Sequence, residues 1–313
     1  MNVFLTGATG FVTGTVTMHL LARGDQVRAL VRDATRGRVL ARAGVTAVAG
    51  DLSDAGALRR GMEGVDAVVH GAALYEVGIA PSQRPAMFAA NVTGTEHVLE
   101  AALAAGVRRV AYVSTCAIFG NTRGAIVDET YTRSGPYTSY YEETKVRAHE
   151  IALRFAERGL GVSIAQPGGV YGQGDTSGMG GLMRDFARGR LPFVPFADTG
   201  LNFVHVDDVA RGIVLVLDRG QPGRSYVLGG ENARVVDAFA ALARITGRGL
   251  PRLRLPYAVL QLGALVRPGL REVVSSSKGV TFWATDARAR SELGYLSRAL
   301  EAGLRDSYGG AAG

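Results

Sequence analysis

Residues 1–14 read MNVFLTGATGFVTG, and this stretch decides the fold predicted for the rest of the chain. Val3, Phe4 and Leu5 form a short apolar run typical of a β-strand, which breaks at once into a glycine-containing turn at residues 6–10. Apolar residues at helical spacing follow from Phe11. The stretch therefore predicts a strand, a tight turn and a helix.

A turn of this kind suits the pyrophosphate of a dinucleotide, because the first N–H groups of the helix and the positive end of its dipole point at one spot. Gly7 permits the tight turn, and Gly10 lets the backbone approach the phosphates. The pattern TGxxGxxG has a third glycine that brings helix and strand close together, whereas this chain has Thr13 there, followed by Gly14. We therefore expect a dinucleotide site whose helix is slightly displaced.

The composition bounds the class of protein. The chain has 313 residues, 47% of them hydrophobic, which is enough for one large domain or two coupled domains. Its single cysteine, Cys116, excludes an internal disulfide, fits a reducing compartment and is expected to be buried and unreactive. The sequence starts with a strand instead of a targeting segment, and no apolar run reaches about 18 residues. We expect a cytoplasmic protein with no membrane partner.

The charge pattern favours a small anionic ligand over a polymer. The net charge is +7, but the cationic residues are mostly arginines scattered among Asp and Glu, with no basic stripe or group of stacking aromatics. We therefore expect no nucleic-acid partner, and a basic surface that suits an anionic cofactor. The histidines have no metal-ligand spacing, so no metal is predicted.

Apolar runs alternate with helical segments as far as residue 170. After the first strand, the runs predicted as strands are residues 26–31, 45–49, 65–69, 109–114 and 161–165, and the two long helices are residues 86–105 and 140–158. Nearly uniformly apolar strands that alternate with helices imply a parallel sheet covered on both faces. The predicted fold is therefore a doubly wound (Rossmann) α/β fold with its ligand crevice at the carboxyl ends of the strands.

The pattern changes near Pro167, after which glycine is dense through residue 181. This segment, with a short helix at 182–188 and prolines at 192 and 195, is typical of a lid over the crevice. The remaining predicted elements are a strand at 203–206, a helix at 209–217 capped by Asp207 or Asp208, a strand at 226–228, helices at 235–245 and 256–265, and an amphipathic stretch at 288–293. We predict a dinucleotide-binding domain of residues 1–170 and 203–230, and a small C-terminal substrate-binding domain of residues 171–202 and 231–313.

Tyr141 and Lys145 are the strongest catalytic candidates. Four residues apart on a predicted helix, they share one face, so the ammonium can lie near the phenol. A free phenol titrates at about pH 10, and a nearby cation lowers that value toward the range useful for acid–base catalysis. Tyr137 and Tyr140 have no lysine four residues on.

A second candidate group lies at the end of the fifth strand, where Ser114 and Thr115 stand at the carboxyl edge of the sheet. Because side chains alternate along a strand, only one of the two hydroxyls is expected to reach a substrate. The alternative is that both only satisfy backbone groups at the strand end.

Taken together, the motifs of this chain resemble those of the extended (atypical) short-chain dehydrogenases/reductases, the NAD-dependent epimerase/dehydratase family. The resemblance is greatest to dihydroflavonol-4-reductase-like and hopanoid-associated sugar-epimerase-like bacterial members. The motifs are TGATGFVTG at 6–14, GDL at 50–52, HGAA at 70–73, NVTGT at 91–95, YVSTCAIFG at 112–120, YEETK at 141–145, PGGVYG at 167–172, NFVHVDDVA at 202–210 and DARARSELGY at 286–295.

The resemblance implies roles for particular residues. Thr115 takes the place of the catalytic hydroxyl residue, Tyr141 that of the acid–base, and Lys145 that of the residue that tunes the tyrosine and holds the nicotinamide ribose. Asn91 matches an asparagine with a structural or proton-relay role, and Tyr75 is placed with Thr115 and Tyr141 at the substrate. The residues implied to bind the cofactor are Gly7, Thr9, Gly10, Phe11, Val12, Arg32, Asp51, Leu52, Ala72, Ala73, Tyr141, Lys145, Pro167, Gly168 and Val170.

The implied function is hydride transfer between a nicotinamide cofactor and a carbonyl or secondary alcohol, with a sugar or nucleotide-sugar epimerase as the alternative. A dehydratase is disfavoured, because Cys116 and Ala117 stand where sugar dehydratases of the family have Asp-Glu. A cofactor-sensing regulator is disfavoured by the intact candidate triad. Arg32 at the end of the second strand favours NADP over NAD, although Asp33 follows it. The expected partners are a small-molecule substrate and a second copy in a homodimer.

Overall fold

The structure is a computed structural model that describes residues 1–251, 272–274 and 276–312. Over these residues seven strands form one parallel sheet: β1 (Asn2–Thr6), β2 (Gln26–Val31), β3 (Thr46–Ala49), β4 (Ala67–His70), β5 (Arg109–Val113), β6 (Val162–Pro167) and β9 (Ser225–Leu228). Their order is β3-β2-β1-β4-β5-β6-β9. The strand order reverses between β1 and β4, and a ligand crevice forms at such a switch point. The predicted Rossmann fold is confirmed.

Helices cover both faces of the sheet. They are α1 (Phe11–Ala22), α2 (Ala34–Arg42), α3 (Ala55–Met62), α4 (Arg84–Phe88), α5 (Gly94–Ala104), α6 (Tyr140–Glu157), α7 (Gly178–Ala187), α8 (Val206–Arg219), α9 (Val235–Thr246) and α10 (Leu300–Tyr308). One core lies between the sheet and α1 with α8, and a second between the sheet and α3, α5 and α6. None of the helices in the described ranges is long and apolar enough to span a membrane.

The helices differ from the predictions at several places. The helix expected at residues 86–105 contains a π-helical turn at Ala89–Thr93, between α4 and α5. The short helices α2 and α3 were not predicted, although each begins after an aspartate, Asp33 or Asp54, whose side chain caps it. Helix α8 begins at Val206 and is capped by His205, not by Asp207 or Asp208, because the His205 ring accepts the N–H of Asp207.

A second, small sheet lies beside the main one. It contains β7 (Gly169–Tyr171), β8 (Gly200–His205) and β10 (Glu231–Arg234) in the order β10-β8-β7. The strand predicted at residues 203–206 was expected to return to the main pattern, but it lies in this small sheet. The reason is that Leu201 and Phe203 pack into a separate apolar core with α7, α9 and α10. After β8 the chain passes through α8 and returns to the main sheet at β9.

Other expectations concern the C-terminal part of the chain. The helix predicted at residues 256–265 lies outside the described residues. The amphipathic stretch at 288–293 is a π-helical turn, Ala289–Leu293, whose Leu293 packs on the core below α8. The predicted division into two domains stays a prediction.

Candidate active site

The glycine turn after β1 has the geometry of a phosphate cradle. Gly7 has φ +83°, and a Cβ there would lie 2.8 Å from the backbone nitrogen of Ala72. The Gly10 N–H donates to the Gly7 carbonyl at 2.8 Å and closes the turn. Since only glycine fits at this approach of two strand ends, the backbone is free to contact a ligand at the start of α1. These residues fit the pyrophosphate of a dinucleotide.

Thr13 is accommodated by a second glycine. Its hydroxyl donates to the Gly7 carbonyl, and its Cγ2 lies only 2.1 Å from the place that a Cβ on Gly71 would take. Gly71 therefore provides the room that a third glycine in α1 would otherwise provide. Gly71 thus leaves room for the Thr13 methyl group, and the expected slight displacement of the helix stays a prediction.

The ends of β2 and β3 form the region expected to hold the adenosine. The Asp51 carboxylate accepts the Ser53 hydroxyl at 2.6 Å and the Ser53 N–H at 2.8 Å. These bonds, with a smaller contribution from the charge of Arg32, hold the pKa of Asp51 below its usual range. Leu52 packs against Gly94, where a Cβ would lie 2.6 Å from Leu52 Cδ1. Asp51 and Leu52 are thus fixed beside the crevice.

Arg32 and Asp33 have different surroundings. Asp33 Oδ1 accepts the N–H groups of Thr35 at 2.6 Å and Arg36 at 3.2 Å, so its carboxylate caps α2. Arg32 is exposed at the end of β2. These two hydrogen bonds use one oxygen of the Asp33 carboxylate and hold the carboxylate toward α2.

Tyr141 lies in the first turn of α6, half-buried beside Tyr75. The two rings meet edge to face, with their centroids 4.9 Å apart and an interplanar angle of 87°. Burial, and then the neighbouring phenols of Tyr75 and Tyr112, raise the pKa of Tyr141, while a hydrogen bond with the Thr115 side chain opposes this shift. We expected a nearby cation to lower this pKa, and the structure shows the opposite direction.

Burial also shifts the pKa of Lys145. Its side chain is buried, and Nζ donates to the Tyr112 hydroxyl at 3.1 Å and to the Val113 carbonyl at 2.9 Å. Burial lowers the pKa of Lys145 to about 7. The helical spacing does bring Lys145 to the face that carries Tyr141, but the pKa of Tyr141 is set by its own burial and by the neighbouring phenols.

The two hydroxyls at the end of β5 point to different places, as the alternation predicts. Ser114 is buried and its hydroxyl lies 3.0 Å from His149 Nδ1. Thr115 is half-buried, accepts the Ala117 N–H at 3.1 Å and interacts with Tyr141. Thr115 is therefore the hydroxyl that lies on the side of the tyrosine.

Asn91 lies in the π-helical turn and is 1% exposed. Its side chain accepts the Leu74 N–H at 2.7 Å and donates to the Leu74 carbonyl at 3.0 Å and the Thr144 hydroxyl at 3.0 Å. Asn91 thereby ties the loop that carries Tyr75 to the helix that carries Tyr141. No sequence pattern had indicated this contact.

The remaining candidates line the same edge. Thr9 and Ala73 are exposed, whereas Phe11, Val12, Gly168 and Val170 are half-buried. Pro167 ends β6. Cys116 is buried, and burial raises the pKa of its thiol, as expected for an unreactive residue.

A doubly wound parallel sheet with a glycine cradle after its first strand is the architecture of dinucleotide-binding folds. The chain belongs to the NAD dependent epimerase/dehydratase family, whose model matches residues 3–229. It is an enzyme of the extended short-chain dehydrogenase/reductase type.

Individual relatives include both reductases and sugar-modifying enzymes. "Sterol demethylase protein B" of Methylococcus capsulatus is 35% identical over 86% of this chain and 82% of its own length. A "putative dihydroflavonol 4-reductase" of Synechocystis sp. is 35% identical over 81% of this chain and 75% of its own length. The crystal structure of gox2253 has a TM-score of 0.84 at 33% identity and covers 97% of this chain and 96% of that one. MoeE5, solved with UDP-glucose and NAD, has a TM-score of 0.80 at 27% identity, and the match covers 98% of this chain and 97% of that one.

Proposed function

We propose that this enzyme transfers hydride between a nicotinamide cofactor and a ketone or secondary alcohol of an apolar ring compound, with Thr115, Tyr141 and Lys145 as its catalytic residues. The observation that supports this most is the placement of Tyr141. Its phenol interacts with Thr115 and lies one helical turn from buried Lys145, beyond the strands that hold the glycine cradle.

Side chains of this protein supply the proton that the carbonyl oxygen needs during reduction. Because burial raises its pKa, the Tyr141 phenol is protonated at neutral pH and can donate its proton to the carbonyl oxygen during reduction. The Thr115 hydroxyl orients that oxygen by a second hydrogen bond. The cofactor, when bound, supplies the hydride in reduction and accepts it in oxidation. Asn91 acts as a structural clamp that holds the Tyr75 loop against α6.

The lining of the site supports an apolar ring compound as the substrate. Tyr75 is 63% exposed and packs its ring against Tyr141, so it offers an aromatic surface directly beside the reacting group. Two relatives are described by the ring compounds sterol and dihydroflavonol. A panel of steroid ketones, dihydroflavonols and UDP-glucose with NADH and NADPH, followed by nicotinamide absorbance, tests the proposal. Turnover of a ring ketone supports it, and turnover of none of them with either cofactor contradicts it.

We expect the enzyme to prefer NADP(H) to NAD(H). An exposed arginine at the end of β2 can pair with a 2′-phosphate, while capping of α2 draws the Asp33 carboxylate away from a ribose hydroxyl. Arg32→Ala should weaken NADPH binding about tenfold or more, the worth of one charge-assisted hydrogen bond, and leave NADH binding nearly unchanged. Calorimetric titration of both cofactors checks this. Tighter binding of NADH by the wild-type enzyme would contradict the preference.

We expect nucleoside-diphosphate sugars not to be substrates. Epimerases of this family that use such sugars resemble one another in having an arginine just before the segment that is Asn202–Val206 here, but this chain has Leu201, which packs into the apolar core of the small sheet. Leucine cannot pair with a diphosphate, which costs about ten- to a hundredfold in affinity. Arg184, Arg188 and Arg190 are the cations that could substitute.

Titration with UDP, UDP-glucose and dTDP-glucose measures this directly. Micromolar binding of any of them would overturn the exclusion and favour the epimerase alternative. The family and the complex of MoeE5 with UDP-glucose are the observations that support this alternative. A homodimer remains part of the proposal, and sedimentation of the purified enzyme checks it.

A further inference from the structure

Behind the candidate site lies a buried chain of hydrogen bonds that runs through His70. The ring is fully buried, with Nδ1 2.7 Å from the Thr6 hydroxyl and Nε2 2.9 Å from the Thr95 hydroxyl. The Thr95 hydroxyl donates to the Asn91 carbonyl at 2.7 Å, so the proton between His70 and Thr95 belongs to Nε2. His70 then donates to Thr95 through Nε2 and, as a neutral imidazole, accepts from Thr6 through Nδ1.

The neutral state agrees with its surroundings. Burial, and to a lesser degree the charge of Lys145, lower the pKa of His70 to about 3. The Thr6 hydroxyl also accepts the Ala72 N–H at 3.3 Å, so the hydrogen-bond network begins at the loop beside the glycine cradle. Both ring nitrogens of His70 and both threonine hydroxyls have hydrogen-bond partners. Such a fully satisfied buried network holds its members in one arrangement.

Tyr112 connects this network to Lys145. Its ring stacks on His70 at a centroid distance of 5.6 Å, and its hydroxyl interacts with the Thr95 side chain. The same hydroxyl accepts a hydrogen bond from Lys145 Nζ, which lies 4.9 Å from the ring centroid. The fully buried phenol is thus fixed on two sides and presents its oxygen to the amine.

We propose that Tyr112 is a positioning residue for Lys145, and that Thr95 and His70 act through it by fixing the phenol. This inference goes beyond the proposed Thr115, Tyr141 and Lys145 chemistry, since it assigns the acceptor that holds Lys145 in place. Within the described residues, Tyr112 makes no hydrogen bond to the glycine cradle or to Tyr141. Its role is to stabilise the ammonium form of Lys145 at one location.

The charges around Lys145 make this acceptor important. The groups that face it are Tyr112 and the Val113 carbonyl from β5, His70 from β4, and Tyr141 and His149 from its own helix. Burial, with a contribution from Lys145, also lowers the pKa of His149 to about 4. All these groups are neutral near pH 7, so the ammonium depends on hydrogen-bond acceptors alone.

The test uses the unusual lysine content of the chain. Lys145 and Lys278 are its only lysines, so ¹³Cε-lysine NMR gives two signals, which Lys278→Arg assigns. In the wild-type protein, one signal should titrate near pH 7. Tyr112→Phe keeps the stacked ring and removes the acceptor, and should move that midpoint down by about one to two pH units. Thr95→Val should move it in the same direction by less.

Tyr226→Phe is the matched control, because Tyr226 is an equally buried tyrosine in the same sheet whose hydroxyl contacts Glu292 instead. It should leave the Lys145 midpoint unchanged. An unchanged midpoint in both Tyr112→Phe and Thr95→Val would overturn the proposal, and Thr95→Val serves alone if the other variant does not fold. The titration needs no substrate, so its result is independent of whether the ketone panel shows turnover.

Discussion

Replacing Tyr141 with phenylalanine is expected to lower kcat by about 10²- to 10⁴-fold, the usual cost of losing a positioned acid–base group. The substitution removes only the phenolic oxygen, and the ring keeps its edge-to-face contact with Tyr75. Cofactor affinity should therefore stay nearly unchanged. Steady-state kinetics on a ketone from the substrate panel, with calorimetric titration of the cofactor, separate the two effects.

Tyr140→Phe is the matched control for this experiment. Tyr140 is the preceding residue of the same helix, and its ring lies under the Arg84 guanidinium instead of beside the catalytic group. We expect this variant to keep wild-type turnover. Lys145→Ala should reduce both turnover and cofactor binding, because Lys145 is proposed both to tune Tyr141 and to hold the nicotinamide ribose. Full activity in Tyr141→Phe would show that the proposed mechanism is wrong.

Gly71→Ala is expected to destabilise the protein by about 1–3 kcal/mol, the usual cost of overpacking a well-packed site. The new Cβ would lie 2.1 Å from Thr13 Cγ2, and neither α1 nor β4 can move without disturbing the glycine cradle. The free energy of unfolding, measured by urea denaturation, quantifies the loss. Cofactor affinity should fall as well, because α1 begins at the cradle.

Thr13→Ser provides the test of the cause. It removes Cγ2 and keeps the hydroxyl that donates to Gly7, and Thr13 Cβ lies 3.4 Å from the new methyl group, close to ordinary contact. The double variant Thr13→Ser/Gly71→Ala should therefore recover most of the stability lost by Gly71→Ala alone. Additive losses in the double variant would mean that the two residues do not share this space.

Local patterns were sufficient for the main sheet. The second strand was predicted at residues 26–31, and β2 covers the same residues, because a mostly apolar, β-branched run between turn residues has few alternatives. The helices α2 and α3 were missed, since they are short and rich in arginine and glycine, and only Asp33 and Asp54 marked their starts. A search for caps would have found both.

Pairing between distant segments was not accessible from local patterns. The run at residues 203–206 was recognisable as a strand, but nothing in its sequence showed that it pairs with β7 and β10 instead of the main sheet. In the same way, the compensation of Thr13 by Gly71 joins residues that are far apart in the chain. Such contacts depend on tertiary packing, which a single sequence does not display.

The candidate site shows the same division. Spacing correctly placed Tyr141 and Lys145 on one helix face, and alternation correctly separated Ser114 from Thr115. The direction of the Tyr141 pKa shift differs from the prediction, because burial and the neighbouring phenols of Tyr75 and Tyr112 raise this pKa. Burial of individual atoms determines such shifts, and it is known only once the fold is in place.

The most direct test of the central claim is the transfer of deuterium from cofactor to product. The wild-type enzyme would be incubated with a ring ketone and with NADPH or NADH deuterated at C4 of the nicotinamide, and the product examined by mass spectrometry. We expect an alcohol with one deuterium on the former carbonyl carbon, transferred from one face of the cofactor, and about 10²- to 10⁴-fold slower formation of it by Tyr141→Phe. A product alcohol without deuterium, or equal rates of its formation by the wild-type enzyme and Tyr141→Phe, would contradict the proposed hydride transfer.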